Sequence, residues 1–198
     1  MTEIIPFLSN PWVLFGTWYA QAERTEVNDA NAMVLATVGQ GGMPSARTVL
    51  MKDYDERGLV FYTNKDSRKG VQLLIHQKAA LLFYWKSLRR QVRFEGAVED
   101  VSDEEADAYF ASRPRGSQLG AWASRQSQPL PSRHHLENSW QEFEKKFDGQ
   151  NVPRPFYWGG YRVKPAMIEF WHDQPSRLHD RLVYERVGES WHTQRLYP

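Results

Sequence analysis

The sequence predicts a single β-rich α+β domain with helices at its periphery. Short runs of β-branched and aromatic residues alternate with turn-forming segments along most of the chain, a pattern typical of antiparallel strands. No internal repeat or low-complexity tract divides the chain, and the strands on either side of residue 150 are too few for two separate sheets. We therefore expect one domain over residues 1–198, with a sheet that closes into a barrel and so hides its edges.

The first elements are a helix and a three-stranded meander. Residues 11–23 begin with a proline and then carry large apolar residues at near-helical spacing, which predicts an amphipathic helix. We expect residues 1–10 before it to form a flexible segment. Strands are predicted at residues 32–38, 46–52 and 59–63, because the GQGGMP and DYDERG segments between them are rich in turn-forming residues.

Serine caps mark most of the remaining helices. Ser67 is placed to cap a short helix that begins at Arg68, and Ser132 is placed to cap a polar helix that ends near Phe147. Ser102 and Glu105 have the spacing of a capping box, which predicts a helix over residues 106–112. A further short helix is expected within residues 112–132. The remaining strands are predicted at residues 80–85, 91–99, 161–171, 181–187 and 190–196.

The composition excludes several classes of protein. The chain has 25 Lys and Arg against 24 Asp and Glu, whereas nucleic-acid platforms usually carry a strong basic excess. It contains no Cys, which excludes disulfides, thiolate zinc sites and iron–sulfur clusters. His134 and His135 lack the spacing of metal ligands, so we expect no metal. No apolar run approaches the roughly 20 residues that span a bilayer, and no signal peptide is recognisable. We expect a cytoplasmic protein that binds neither nucleic acid nor membrane.

The charge is segregated along the chain, although its sum is close to zero. Residues 65–93 hold eight Lys and Arg and one acid, residues 112–135 hold four Arg and no acid, and residues 99–107 hold six acids. The basic segments are either ordinary solvated patches or parts of a pocket for small phosphorylated molecules. The second interpretation is favoured because the capped helix start at Ser67 carries two cations, where a phosphate is stabilised.

A third cationic group lies near the end of the chain. If residues 177–181 are extended, Arg177, His179 and Arg181 share one face, and Leu178 and Leu182 point into the core. Three such groups repel one another unless an anion or an electron-rich ring lies between them. The alternative is that both arginines are exposed and His179 is an ordinary surface histidine.

Eight stretches of this chain occur together, in order, in one known family. They are ARTVLMK, VFYTNKDSRKG, RQVRFEG, YFASRPRGSQLGAWASRQS, YWGGYRV, IEFW, RLHDR and WHTQRLYP. From about Asn10 to Pro198 the chain resembles the pyridoxine/pyridoxamine 5′-phosphate oxidases. The resemblance implies a split β-barrel homodimer with FMN bound at sites between the subunits. It implies oxidation of pyridoxamine or pyridoxine 5′-phosphate to pyridoxal 5′-phosphate, with O2 as acceptor and H2O2 as product.

The resemblance also implies which residues bind each ligand. The residues implied for FMN are Arg47, Thr48, Val49, Leu50, Met51, Lys52, Tyr62, Thr63, Arg68, Lys69, Gln91, Gln126, Ser127, Trp171 and Arg181. The residues implied for the substrate are Lys52, Tyr109, Arg113, Ser117, Arg177, Leu178 and His179. Of these, Arg177 and His179 are implied to lie against the pyridine ring and to serve catalysis. Because an ideal strand would place Arg47 and Lys52 on opposite faces, we expect one of them at a strand end or a contact through the backbone.

Two alternatives remain open. One is a related split-barrel flavoprotein that acts on another substrate, and the other is a non-catalytic carrier of pyridoxal phosphate. The chain also departs from the usual family pattern, and two of these departures lie in the interior of the chain. Tyr84 stands where proline is common, and residues 172–176 replace a more usual Gln-Gly turn after Trp171. Neither departure removes a group that the reaction needs.

Overall fold

The computed structural model describes residues 4–198, which form five helices and a nine-stranded sheet. The helices are α1 (Pro11–Thr25), α2 (Arg68–His76), α3 (Asp103–Ser112), α4 (Arg115–Ala123) and α5 (Arg133–Lys146). The strands are β1 (Ala32–Val38), β2 (Pro44–Leu50), β3 (Asp53–Asp55), β4 (Gly58–Asn64), β5 (Lys78–Trp85), β6 (Arg90–Asp100), β7 (Trp158–His172), β8 (Asp180–Val187) and β9 (Ser190–Arg195). None of the helices formed by residues 4–198 combines the length and apolarity needed to cross a bilayer.

The structure confirms the predicted β-rich class and the predicted serine caps. The side chains of Ser67, Ser102 and Ser132 each accept a hydrogen bond from the backbone N–H three residues later. The capping box at Ser102 is altered, because the Glu105 carboxylate binds Arg162 Nη2 at 2.9 Å. Helix starts were predictable because a cap is decided by residues within one turn of each other.

Strand β7 organises the antiparallel sheet. The strand order is β2-β1-β5-β6-β7-β4-β3, with β8 paired to β7 and β9 paired to β8. On one side β7 pairs with β6 along most of its length. On the other side its first part pairs with β4 and its last part pairs with β8. The sheet therefore divides along β7, and each half carries some of the residues that the sequence implies for ligand binding.

A register shift in the β6–β7 ladder bends the sheet. The shift lies between Glu95, which pairs with Met167, and Gly96, which pairs with Pro165, so Ala166 is the extra residue on β7. Such bulges increase local bending and twist. Gly96 is required at this position, because a Cβ there would lie 1.9 Å from the Lys164 carbonyl oxygen. The curled sheet encloses the main core like half of a barrel.

Helix α1 fills the concave side of the sheet with aromatic side chains. Phe15 is fully buried and meets Phe94 edge to face, with ring centroids 5.1 Å apart. Trp18 meets Phe170 in the same way at 5.2 Å. Such pairs contribute about 0.5–1.5 kcal/mol beyond the burial of their area, so α1 is a structural part of the core.

A second apolar cluster lies beneath helices α3, α4 and α5. Its buried members are Phe110, Leu119, Phe147, Val152 and Trp158. The buried Arg162 side chain ties α3 to the sheet through Glu105 and Asp55. Removing one partner of a buried ion pair leaves an uncompensated charge. Arg162 therefore needs these carboxylates, and this need fixes the position of α3 on the sheet.

We expected residues 1–10 to form a flexible segment. In the structure, the described part of this segment, residues 4–10, packs against the rest of the chain. Ile5 is fully buried, and its backbone N–H donates to Asp180 Oδ2 at 2.9 Å. The Leu8 carbonyl accepts from the Tyr184 hydroxyl at 2.9 Å. The sequence did not reveal this packing, because the contacts join residues more than 170 positions apart. Residues 1–3 lie outside the described residues.

Two predicted boundaries between strands and turns differ from those in the structure. The DYDERG segment was predicted as a turn, but its first three residues form β3, which pairs with β4. The strand predicted at residues 46–52 is shifted and ends at Leu50. Lys52 therefore lies beyond the strand, as the Arg47–Lys52 spacing predicted, and its backbone N–H donates to the Val60 carbonyl at 2.8 Å.

The bulge at Gly96 provides a test of the fold. We predict that Gly96→Ala lowers the free energy of unfolding by about 1–3 kcal/mol, because the new methyl group overlaps the Lys164 carbonyl. Urea unfolding measures this change. Gly41→Ala is the matched control, since a Cβ at Gly41 meets nothing within 4 Å. Equal stability of the two variants would contradict the assignment of the bend to Gly96.

Candidate active site

Arg47, Arg68 and Lys69 form a cation cluster beside the start of α2. The Arg47 guanidinium donates to neutral acceptors on β1 and β2, which are Leu35 O, Thr37 Oγ1 and Ser45 Oγ. The buried Lys69 Nζ donates to Thr63 Oγ1 and Ser67 Oγ at 3.0 Å each and to Gln126 Oε1 at 2.8 Å. All these acceptors are uncharged oxygens, so the hydrogen bonds hold the cations in place without neutralising them.

The electrostatics of the cation cluster favour an anion. Burial, followed by the nearby Arg47, lowers the pKa of Lys69 to about 8. Burial and then Arg68 lower the pKa of Arg47. No carboxylate of the described residues forms an ion pair with any of the three. The backbone N–H groups at the start of α2 add to this preference.

Gln72 holds the cation cluster in its arrangement. This buried side chain lies on α2, and its Oε1 accepts from Thr37 Oγ1 at 2.6 Å and from Ser45 Oγ at 2.8 Å. It also accepts from Arg47 Nη2 at 3.3 Å. The sequence did not identify Gln72, because a glutamine on a short helix carries no signal of burial.

Gln91, Trp171 and Arg181 form a second group, the sheet groove. They lie side by side on β6, β7 and β8, where Trp171 pairs with both of the others. They line an open cleft of about 190 Å³ together with Leu82, Arg93, Glu169 and Pro198. The buried Glu169 carboxylate accepts from Arg181 Nε at 2.7 Å and from Arg93 Nη2 at 2.8 Å, so Arg181 has a defined position.

Arg113 and Ser117 line a third region, the α4 cleft, of about 290 Å³. The Arg113 guanidinium lies 4.8 Å from the centre of the Trp158 ring, and its buried Nη1 has no hydrogen-bond partner in the described part of the chain. Burial also lowers the pKa of Arg113. A buried donor without a partner is costly, so this guanidinium is suited to an anionic ligand.

Tyr109 stands beside the α4 cleft in a stack of aromatic rings. Its ring lies parallel to that of Tyr62, with centroids 4.0 Å apart, and Tyr62 in turn stacks on Trp158 at 5.4 Å. Gln126 connects this cleft to the cation cluster, because it lines the cleft and accepts from Lys69. Two cationic regions therefore meet at Gln126.

Residues 177–181 do not form the continuous extended segment considered in the sequence analysis. Residues Pro175–Arg177 form a 3₁₀ turn, and β8 begins only at Asp180, so Arg177, His179 and Arg181 do not share a strand face. Ser176 and Arg177 adopt φ values of 56° and 60°, an unfavourable conformation for residues other than glycine. Leu178, expected in the core, is 70% exposed, whereas Leu182 is buried as predicted.

His179 is held at the base of this turn. Its Nδ1 lies 2.9 Å from Asp173 Oδ1, and its ring lies 4.7 Å from the Trp171 ring. The histidine therefore adjoins the sheet groove. Within residues 4–198, no hydrogen bond or ion pair links Arg177 or His179 to Arg113 or Ser117.

The other implied residues lie around these groups. Thr48 and Leu50 are exposed on β2, Val49 packs against the core, and Met51 is buried. Lys52 and Ser127 are exposed outside the regular elements. Within one chain the structure thus joins the cation cluster to the α4 cleft and joins His179 to the sheet groove.

Comparison with known proteins identifies a family that matches most of the chain. Residues 20–147 match the family model described as pyridoxamine 5′-phosphate oxidase. Residues 158–198 match the model of the pyridoxine 5′-phosphate oxidase C-terminal dimerisation region. These two matches cover most of the chain, including the cation cluster, the α4 cleft and the sheet groove.

Individual relatives show the same likeness. The chain is 58% identical to a pyridoxine/pyridoxamine 5′-phosphate oxidase of Caulobacter vibrioides strain NA1000, over 98% of this chain and 88% of the relative. It is 55% identical to the protein of that name from Brucella canis, over 96% and 95%. The crystal structure of PhzG from Burkholderia lata 383, in complex with tetrahydrophenazine-1-carboxylic acid, matches with a TM-score of 0.91 and 34% identity. That match covers 96% of this chain and 94% of the other.

The lowered pKa of Lys69 predicts a pH dependence of stability. Below pH 8 Lys69 is charged in both the folded and the unfolded ligand-free protein, so the full cost of burying the charge is present. Between pH 8 and about 10.5 the folded protein loses this proton first, so the free energy of unfolding rises with pH.

Urea unfolding of the ligand-free wild type and Lys69→Met across this range measures that contribution. The stability of the wild type relative to the variant should increase from pH 8 upward. Lys86→Met, at an exposed lysine, is the control and should show no such trend. A constant difference between wild type and Lys69→Met would contradict the lowered pKa.

Proposed function

Because the chain belongs to the pyridoxamine 5′-phosphate oxidase family, we propose that it oxidises pyridoxamine and pyridoxine 5′-phosphates to pyridoxal 5′-phosphate. FMN is the bound cofactor and O2 is the electron acceptor. One observation carries this proposal: two cationic regions, the cation cluster and the α4 cleft, meet at Gln126 and have no carboxylate partner among residues 4–198. A phosphorylated cofactor beside a phosphorylated substrate requires such a pair of sites.

The cation cluster suits the FMN phosphate, and the other implied residues surround the rest of the cofactor. We assign to FMN the backbone and side chains of residues 47–52, with Tyr62, Thr63, Arg68, Lys69, Gln91, Gln126, Ser127, Trp171 and Arg181. A phosphate dianion supplies the negative charge that Arg47, Arg68 and Lys69 lack among the described residues. Bound FMN supplies the redox chemistry, in which C4′ of the substrate is oxidised and O2 is reduced to H2O2.

The α4 cleft suits the substrate phosphate. We assign Lys52, Tyr109, Arg113 and Ser117 to this phosphate, and Arg177, Leu178 and His179 to the pyridine ring. Arg113 Nη1 has an unused donor, and Ser117 lies in the first turn of α4, where N–H groups favour an anion. Binding the remote phosphate orients C4′ for reaction.

The chain forms a homodimer, and we propose that each site is completed by both subunits. Trp171, Arg177, His179 and Arg181 all lie within residues 158–198, the part that matches a dimerisation region. In one chain no hydrogen bond or ion pair of the described residues links Arg177 or His179 to Arg113 or Ser117 in the α4 cleft. A partner subunit that supplies the turn and the sheet groove would bring the ring-binding residues to the phosphate-binding residues.

Turnover of pyridoxamine 5′-phosphate by the purified protein is the decisive test. We predict a yellow dimer that releases FMN on mild denaturation and consumes O2 with formation of pyridoxal 5′-phosphate and H2O2. Binding of pyridoxal phosphate without O2 uptake would instead identify a carrier. Bound flavin with turnover only of a tetrahydrophenazine carboxylate, the ligand present in the PhzG structure, would indicate a different substrate class.

The assignment of Arg113 makes a separate prediction. Arg113→Ala should raise KM for the phosphorylated substrate about 10- to 150-fold, the range that corresponds to one charge-assisted hydrogen bond of about 1.5–3 kcal/mol. FMN content should not change. Arg133→Ala is the matched control, because that side chain lies in the same basic segment and is 82% exposed. If Arg113→Ala loses flavin in proportion to activity, Arg113 belongs to the cofactor site.

A further inference from the structure

We infer that Asp173 is a positioning residue for His179, which keeps the imidazole proton on Nδ1 and leaves Nε2 as the unprotonated nitrogen. The inference rests on the proposed function, in which His179 contacts the substrate ring. It assigns a role to a residue in the segment where this chain departs from the more usual Gln-Gly turn after Trp171.

The Asp173 carboxylate is fixed independently of His179. Its Oδ2 forms an ion pair with Arg89 Nη2, and its backbone N–H donates to the Arg89 carbonyl at 3.0 Å. Arg89 lies in the turn between β5 and β6, with φ of 53°. The Asp173 side chain is 15% exposed. Two contacts thus attach Asp173 to a neighbouring turn and leave Oδ1 for the histidine.

The contacts of His179 decide which nitrogen carries the proton. Nδ1 lies 2.9 Å from Asp173 Oδ1 and 3.1 Å from the backbone nitrogen of Gln174. The first contact needs a proton on Nδ1, and the second needs an unprotonated Nδ1, so they cannot both be hydrogen bonds at once. Asp173 is ion-paired with Arg89, so its carboxylate only accepts. An unprotonated Nδ1 would set two lone pairs against each other at 2.9 Å, which favours the tautomer that donates to Asp173 over the one that accepts from Gln174.

This arrangement has a consequence for the substrate. With the proton on Nδ1, the neutral imidazole presents Nε2 as a hydrogen-bond acceptor. It can therefore accept from a hydroxyl or amine of the pyridoxine or pyridoxamine phosphate. The Trp171 ring, 4.7 Å away at an angle of 44°, limits rotation of the imidazole. Without Asp173, the Gln174 N–H becomes the remaining partner of Nδ1 and favours the opposite tautomer, which presents a donor.

Nitrogen NMR of the FMN-loaded protein labelled with ¹⁵N-histidine tests the tautomer directly. The His179 signal is the one lost in His179→Gln. At a pH where this imidazole is neutral, the wild type should show the Nδ1–H form, and Asp173→Ala should shift the population toward Nε2–H. A wild-type signal of the Nε2–H form, or an unchanged tautomer in Asp173→Ala, would overturn the inference. This measurement needs no turnover.

Steady-state kinetics tests whether the orientation that Asp173 gives to the His179 imidazole matters for the reaction. With pyridoxamine 5′-phosphate, Asp173→Ala should lower kcat about 10-fold with unchanged FMN content, and Asp173→Asn should lose less because the amide oxygen still accepts. In the His179→Ala background, Asp173→Ala should cause no further loss. Asp148→Asn, at an exposed aspartate, is the matched control and should match the wild type.

The outcomes separate this inference from the proposed function. Wild-type kcat in Asp173→Ala, additive losses in the double variant, or flavin loss that parallels activity would each refute the positioning role. A wild type that does not oxidise pyridoxamine 5′-phosphate would refute the proposed function, while the NMR result would still report whether Asp173 sets the tautomer.

Discussion

The pairing of β7 with its neighbours is the constraint on which the rest of the structure depends. One strand of 15 residues pairs with β6 on one side and with both β4 and β8 on the other. Strand β4 carries Tyr62 and Thr63, whereas β8 carries Arg181. Because side chains alternate between faces, a slip of one residue along β7 would turn the side chains of β7, Trp171 among them, to the opposite face relative to β4 and β8. The bulge at Gly96 permits the sheet to curl without losing this register.

Some cationic side chains pair with carboxylates, whereas others are held only by neutral oxygen atoms. Arg162 and Arg154 each bind at least one carboxylate of α3, and these pairs connect α3 to the rest of the structure. By contrast, Arg47 and Lys69 are held by hydroxyl, amide and backbone oxygens. Neutral acceptors orient a cation and leave its charge available, whereas a carboxylate would compete with a bound phosphate. The distribution of acids thus separates structural cations from those available for ligands.

The turn between β7 and β8 holds a strained backbone. Two consecutive non-glycine residues, Ser176 and Arg177, adopt left-handed conformations, and strain of this kind persists only where the surroundings over-determine it. Here the surroundings include the ion pair of Asp173 with Arg89 and the contact of His179 with Trp171. The turn therefore presents Arg177 and His179 from a defined scaffold, although Leu178 between them is exposed.

The sequence by itself determined the class of the fold, the helix starts and the family, because these depend on local patterns and on motifs in order. Ser67 caps α2 through a backbone group only three residues away, so the cap is visible in the sequence. Tertiary structure alone decided the burial of Ile5 against β8, the role of Gln72 beneath Arg47, and the turn that separates Arg177 from the strand. Each of these depends on partners distant in sequence or on backbone conformations imposed by them, and the residues themselves carry no periodic signal of such contacts.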